Sequence, residues 1–228
     1  MINDFWSPDG QRGAHVTYCV SATYPLHHQS RSESQVNLNL SRALTMLVGL
    51  LLWGTAQADG GLRYQVSITN LTKGQAFTPQ LVVTHDASVS LFQVGAPASL
   101  PLEILAEAGD TAPMAEALAA YGDSVGNIVT IPGLLEPGQT VSTTVSVQGK
   151  HRYLSMAAML IPTNDTFVAV RNLSLPRAGA RAVNALAYDS GTEDNDQNCL
   201  NIPGPRCGGE GHSPGPNVGD EGFVYVSN

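Results

Sequence analysis

Four carboxylates fall within eight positions in Tyr188-Asp189-Ser190-Gly191-Thr192-Glu193-Asp194-Asn195-Asp196. Acids this dense repel one another unless water solvates each of them or a cation is shared. Calcium is the cation best suited to such a cluster, because it takes many oxygen ligands from carboxylates, carbonyls and water. A charge run is as readily a solvated loop, so residues elsewhere must choose between the two readings. One such residue is Asp165, in the link Pro162-Thr163-Asn164-Asp165-Thr166 between two strongly apolar runs. Taken alone it fits an Asx-type turn. In an antiparallel arrangement, however, the strand ending at Ile161 and the strand ending just before Asp189 run the same way. Both acidic links then leave the fold at one end.

Other reactive residue types do not assemble into a recognisable centre. The histidines beyond residue 58 are His85, His151 and His212, and none pairs as H-x-x-x-H or H-E-x-x-H. A zinc-hydrolase motif is therefore missing. No G-x-S-x-G elbow occurs, and Gly208-Gly209-Glu210-Gly211-His212 neither follows a strand nor opens a helix, as a phosphate-cradling loop would. Glycoside hydrolysis needs one carboxyl held protonated apart from one ionised, and four acids crowded in one loop lack that separation. The sequence thus predicts a non-enzyme, with a metal- or carboxylate-dependent hydrolase as the remote alternative. Cys199 and Cys207 bracket a turn-rich loop, Leu200-Asn201-Ile202-Pro203-Gly204-Pro205-Arg206. A local disulfide is expected there, since a lone C-x7-C pair is a poor zinc pattern.

The elements that hold these residues begin late in the chain. Residues 1–40 show no sustained period and read as a disordered N-terminal extension from a start codon assigned too early. Residues 41–58 combine Arg42, an apolar run through Leu50-Leu51-Leu52-Trp53 and an Ala56-Gln57-Ala58 end, the pattern of a secretory signal. A signal anchor with a short cytoplasmic tail is the competing reading. Cleavage after Ala58 would leave residues 59–228 as one domain, secreted, periplasmic or at the cell surface, with no stable membrane insertion. The formal net charge of −8 lies entirely in that part. With no basic patch carrying interleaved aromatics, nucleic acid is excluded as a partner.

Within residues 59–228, strict alternation predicts strands at 62–71 and 140–147. Further strands are expected at 77–85, 128–131, 153–161, 167–171, 181–188 and 222–227, with a short strand or ordered loop at 89–95. The run 153–161 is apolar throughout, as a strand buried on both faces would be. Two short helices interrupt the strands at 99–109 and 111–122. Each starts with Ser or Thr, carries an early proline and ends on glycine. Covering one sheet edge is their expected role. The long Gly/Pro/Asn/Asp segment 189–221 reads as a functional or disordered loop.

Two blocks in this order, Leu160-Ile161-Pro162-Thr163-Asn164-Asp165-Thr166-Phe167-Val168 and Tyr188-Asp189-Ser190-Gly191-Thr192-Glu193, resemble the spondin domain family, the module of F-spondin, mindin and many exported bacterial proteins. Weaker likeness extends through Tyr64 to Thr72 and Phe77-Thr78-Pro79, so that the resemblance covers residues 62–228. It implies a C2-like antiparallel β-sandwich with a calcium site in loops at one end; the two short helices read above are inserted between its strands. Carried over by position, the metal ligands are Asp165, Asp189 and Glu193; Asp194 and Asp196 are extra acids of this chain, either added ligands or contributors to the local field. Ser190 replaces the family's usual Ala, and Glu193 stands where animal members have Asp. The chain also stops soon after Phe223-Val224-Tyr225-Val226, short of where bacterial relatives are expected to end. The expected function is an exported, calcium-binding adhesion or recognition module for an extracellular protein or glycan. The alternative is a periplasmic or cell-surface structural domain in which calcium only stiffens the loops.

Overall fold

The computed structural model describes residues 16–21, 61–213 and 221–227. The signal-like segment 41–58 lies outside the described residues, and among those described no helix is long and apolar enough to cross a membrane. The fold is mainly β, antiparallel throughout, and carries two α-helices. Its strands are β1 (Val16–Ser21), β2 (Leu62–Thr69), β3 (Ala76–Phe77), β4 (Gln80–His85), β5 (Val125–Ile131), β6 (Thr140–Val147), β7 (Tyr153–Ile161), β8 (Thr166–Ser174), β9 (Ala180–Asp189) and β10 (Tyr225–Val226). Neighbours follow the path β5-β4-β7-β8-β9-β1-β2-β6, with β3 on β7 and β10 on β9. β9 joins the two layers. Its first half, 180–185, pairs β1, and its second half, 186–189, pairs β8.

Alternation explains the layers. In β2, Tyr64, Val66 and Ile68 point inward, and in β6 Val145 and Val147 do so. They meet Val82, Leu154, Met156, Ala158, Leu160, Val168 and Val170 of the opposite layer to form the sandwich core. The other faces of β4, β7 and β8 bury Leu81, Val83, Ala157, Phe167 and Ala169 against Leu102, Leu105, Ala106, Met114 and Leu118. Those last five belong to α1 (Leu100–Ala108) and α2 (Ala112–Ala119). The helices therefore cover a sheet face and not an edge, which corrects the expectation above. The cause is visible in β7: an apolar residue on both sides of the pleat requires a cover on both sides.

The end of α1 follows the predicted grammar, whereas α2 stops at Ala119 with Ala120 in the right-handed region, and Gly122 opens a short 3-10 turn instead of ending the helix. Gly109 adopts φ 67° and returns its N–H to the Leu105 carbonyl, the left-handed stop that glycine adopts without a Cβ penalty. Neither Ser99 nor Thr111 makes a side-chain cap bond. Asp110 Oδ1 instead accepts the Ala112 N–H at 2.9 Å, and Thr111 pairs with Thr130 at 3.1 Å.

Of the two readings of 89–95, strand or ordered loop, the structure has the loop, its backbone held by turns and by Gly95 N–H donating to the Val224 carbonyl at 2.8 Å. One further expectation changes. Residues 1–40 were expected outside the fold, yet Val16–Ser21 lies between β2 and β9 and pairs with both. Val16-Thr17-Tyr18-Cys19-Val20-Ser21 is rich in β-branched and aromatic residues, and β2 and β9 present it with two ladder edges.

Candidate metal centre

Both acidic links emerge at the same end. The turn after β7 begins with a cis Ile161–Pro162 peptide and carries Asn164 and Asp165, exposed 3% and 0%. β9 delivers Asp189 at its last position, laddered to Thr166 on one side and to Tyr225 on the other. The Ser190 N–H donates to the Asp165 backbone carbonyl at 3.2 Å, joining the two links directly.

One oxygen of Asp165 is heavily used. Its Oδ2 accepts from Ser190 Oγ at 2.9 Å, Thr192 N–H at 2.8 Å and Glu193 N–H at 3.2 Å. Ser190 thus supplies a hydroxyl donor that an alanine would lack. Asp165 Oδ1, by contrast, is buried with no hydrogen-bond partner. Burial, with the Asp189 charge second, pushes the Asp165 carboxyl up to about 6. The donors at Oδ2 pull the other way without cancelling those effects.

Asp189 is 2% exposed. Its Oδ1 accepts the Gly191 N–H at 2.9 Å and its Oδ2 accepts from Asn195 Nδ2 at 2.9 Å. Tyr225 also hydrogen-bonds this carboxylate, and burial first, then the negative charges around it, raise the phenol. Gly191 is fixed by geometry. At φ 68°, a Cβ there would lie 2.3 Å from the Phe223 carbonyl oxygen, and the Gly191 carbonyl accepts the Gly222 N–H at 3.0 Å. Gly191→Ala is expected to destabilise the protein by at least about 2 kcal/mol and to weaken any ion held beside Asp189. Urea unfolding and calcium titration of this variant check both effects, and wild-type values in both would refute the reading.

Glu193 is brought near but aimed differently. It is 2% exposed, with Oε2 unpartnered. Its carboxylate meets the Ser213 and Asn164 side chains, and burial above all, then the charges of Glu107 and Asp165, lifts it to about 7. Asp165, Asp189 and Glu193 do not form a group with all ligand atoms within 4.8 Å; among the described residues that spacing is met by Glu103, Glu107 and His212. Asp194 and Asp196 are exposed. Asp196 Oδ1 is occupied by the Asn198 N–H at 2.7 Å, so the two extra acids lie on the rim and not in the buried cluster. The described ion pairs, Lys150 with Asp86 and His212 with Glu103 and Glu107, bring no basic side chain to Asp165, Asp189 or Glu193.

The Cys199–Cys207 disulfide closes the following loop, with a Cα–Cα distance of 4.8 Å. A second pair that sequence reading passed over is Ser155 Oγ and His85 Nε2, 2.8 Å apart. The spacing suits a nucleophile and its base, but Ser155 is 1% and His85 0% exposed. Ser155 Oγ also accepts the Asn172 N–H at 3.0 Å, where β7 and β8 shift register between Leu154 and Met156. Its observed work is to lock that irregularity.

The Spondin_N family model matches residues 69–197. No curated protein is significantly similar to the chain. The match takes in both acid-bearing links and the strands that position them, and it spans more than half of the sequence: the chain belongs to the Spondin_N family.

Proposed function

We infer that the protein is an exported, calcium-binding recognition module that carries out no chemistry of its own. One observation carries this reading: the buried Asp165 keeps an unpartnered oxygen in the field of the buried Asp189. Two adjoining carboxylates removed from water, with no basic partner among the described ion pairs, are costly. A divalent cation offsets that cost, and all-oxygen donors suit calcium over zinc or copper. Asp165 and Asp189 are the principal ligands, and Glu193 joins them only by turning back from Ser213. The ion would supply positive charge that holds the two links together, leaving Asp194 and Asp196 on the exposed rim to meet an extracellular protein or glycan.

Family membership supports an extracellular, non-enzymatic module. The disulfide fits an oxidising compartment, and the apolar residues 41–58 have the pattern of an export signal. A second reading rests on the pairing of Asp189 with Tyr225 and of Gly191 with Gly222. These contacts already tie the C-terminal segment to the site, so calcium would only stiffen that end. Rim substitutions at Asp194 and Asp196 that spare stability but abolish capture of a partner favour recognition over stiffening.

Isothermal titration with calcium tests the ion itself. The purified protein is expected to bind one calcium, and Asp189→Asn to abolish the signal. No heat, together with an unchanged Tm in calcium and in chelator, would sink the assignment.

A further inference from the structure

A second set of ligating side chains converges on α1. Glu103 and Glu107 are spaced i, i+4 and so project from the same side of the helix. His212 reaches them from the segment beyond the disulfide loop. Its Nδ1 lies 2.8 Å from Glu107 Oε2 and 3.9 Å from Glu103 Oε1, and one ligand atom from each of the three falls within 4.8 Å of the others. The Ser213 N–H donates to the same Glu107 oxygen at 3.1 Å. Glu107 is 1% exposed, and its Oε1 has no hydrogen-bond partner.

Nearby carboxylates add negative charge, and among the described ion pairs His212 is the one cation at this cluster. Burial, then the charge of Glu107, raises the Glu103 carboxyl. Glu193, whose Oε2 is likewise buried and unpartnered, hydrogen-bonds Ser213 and feels Glu107. Two carboxylates therefore face one imidazole, and Glu107 keeps a buried oxygen unpartnered. An unsatisfied buried acceptor is costly, and more so when charged.

We propose that Glu103, Glu107 and His212 form a zinc-binding site distinct from the Asp165–Asp189 centre. The donor set selects the metal class. An imidazole nitrogen with two carboxylate oxygens suits zinc, whereas calcium takes oxygen ligands. Tetrahedral zinc places its ligand atoms about 3.3 Å apart, so the shorter contact opens and the longer one closes by roughly half an ångström. Side-chain rotation suffices, because the Glu103 and His212 side chains are 22% and 27% exposed. On binding, His212 Nδ1 presents its lone pair and keeps its proton on Nε2. The open side leaves a position for water. The ion would anchor the segment after Cys207 to α1.

The test uses the full chain carrying Cys19→Ser, which removes the thiol left outside the Cys199–Cys207 disulfide. After metal stripping, zinc is titrated against a chromophoric chelator, and cobalt is added separately for its absorption spectrum. One zinc per chain is expected, with cobalt d–d bands and no thiolate charge-transfer band. His212→Ala should weaken zinc by at least about tenfold, and Asp189→Asn should leave it unchanged. Because Glu107 is buried, Glu107→Gln risks the fold, so Glu103→Gln serves as the second ligand variant with the same expected loss. The proposal is overturned if the parent binds no stoichiometric zinc. It is equally overturned if zinc affinity survives both variants, as it would were His15, His27 or His28 the true ligands.

Discussion

At neutral pH, Asp165→Asn is expected to abolish calcium binding and yet make the metal-free protein more stable than wild type, by about 1–3 kcal/mol. The amide keeps one acceptor for the Ser190, Thr192 and Glu193 donors that now meet Oδ2. It replaces the unpartnered Oδ1 with a donor lying in the field of Asp189. The sign follows from proton linkage. The folded protein holds the Asp165 proton up to about pH 6, against an ordinary value of 3.8. Between those values the folded state binds more protons than the unfolded chain, so stability falls as pH rises. The deficit is complete above the folded value, and a shift of roughly two pKa units corresponds to about 3 kcal/mol. Glu193, raised from 4.5 to about 7, adds a loss of the same sign between those values, extending the decline upward. In chelator, wild-type stability from urea unfolding should therefore decline from pH 5 to pH 8. Asp165→Asn should decline less, and calcium at about 100 times its Kd should restore wild type by roughly 2.7 kcal/mol. An Asp165→Asn protein less stable than wild type in chelator at pH 7.5 would contradict the account.

Phe167→Ala should be the most damaging single substitution near the site, at about 3–5 kcal/mol. Phe167 is 0% exposed. Its ring lies 5.0 Å from Phe92 edge-on and 5.6 Å from Tyr188 nearly parallel, and Phe92 meets Tyr188 at 4.8 Å. The Arg171 guanidinium caps Phe92 at 4.9 Å. Phe167 and Tyr188 are ladder partners. One follows Asp165 by two residues and the other immediately precedes Asp189, so the aromatic trio sets the spacing between the two acids. The variant should consequently lose calcium affinity as well as stability. Val145→Ala, equally buried in the sandwich core, should lose stability alone. If both variants bind calcium equally well under conditions where both are folded, the trio does not position the site.

Much of the framework is legible in residue order. β2 and β6 are announced by alternation, α1 by its early proline and final glycine, and β7 by an apolar run that leaves no polar face. The two acid links could be placed at one end because a hairpin and a return strand allow only one direction. Glu193 was less legible. Its place in the Asp-Ser-Gly-Thr-Glu block suggests a ligand beside Asp189, but the Ser213 and Asn164 side chains draw its carboxylate aside, toward Glu107. Nothing local in sequence could show this, since Glu107 and Ser213 are far from it along the chain.

The sequence by itself therefore determined the element types, the sandwich class and the two segments that carry the acids. These depend on side-chain period and on backbone rules that act within a few residues. The tertiary structure alone decided that the helices cover a face, that Val16–Ser21 enters the sheet, that Asp194 and Asp196 stay on the rim, and that Asp165 and Glu107 keep buried unpartnered oxygens. Period says on which side of a strand a residue lies, not what covers it. Burial and electric field are sums over groups distant in sequence, and those sums make a crowded acid a metal ligand or a solvated charge.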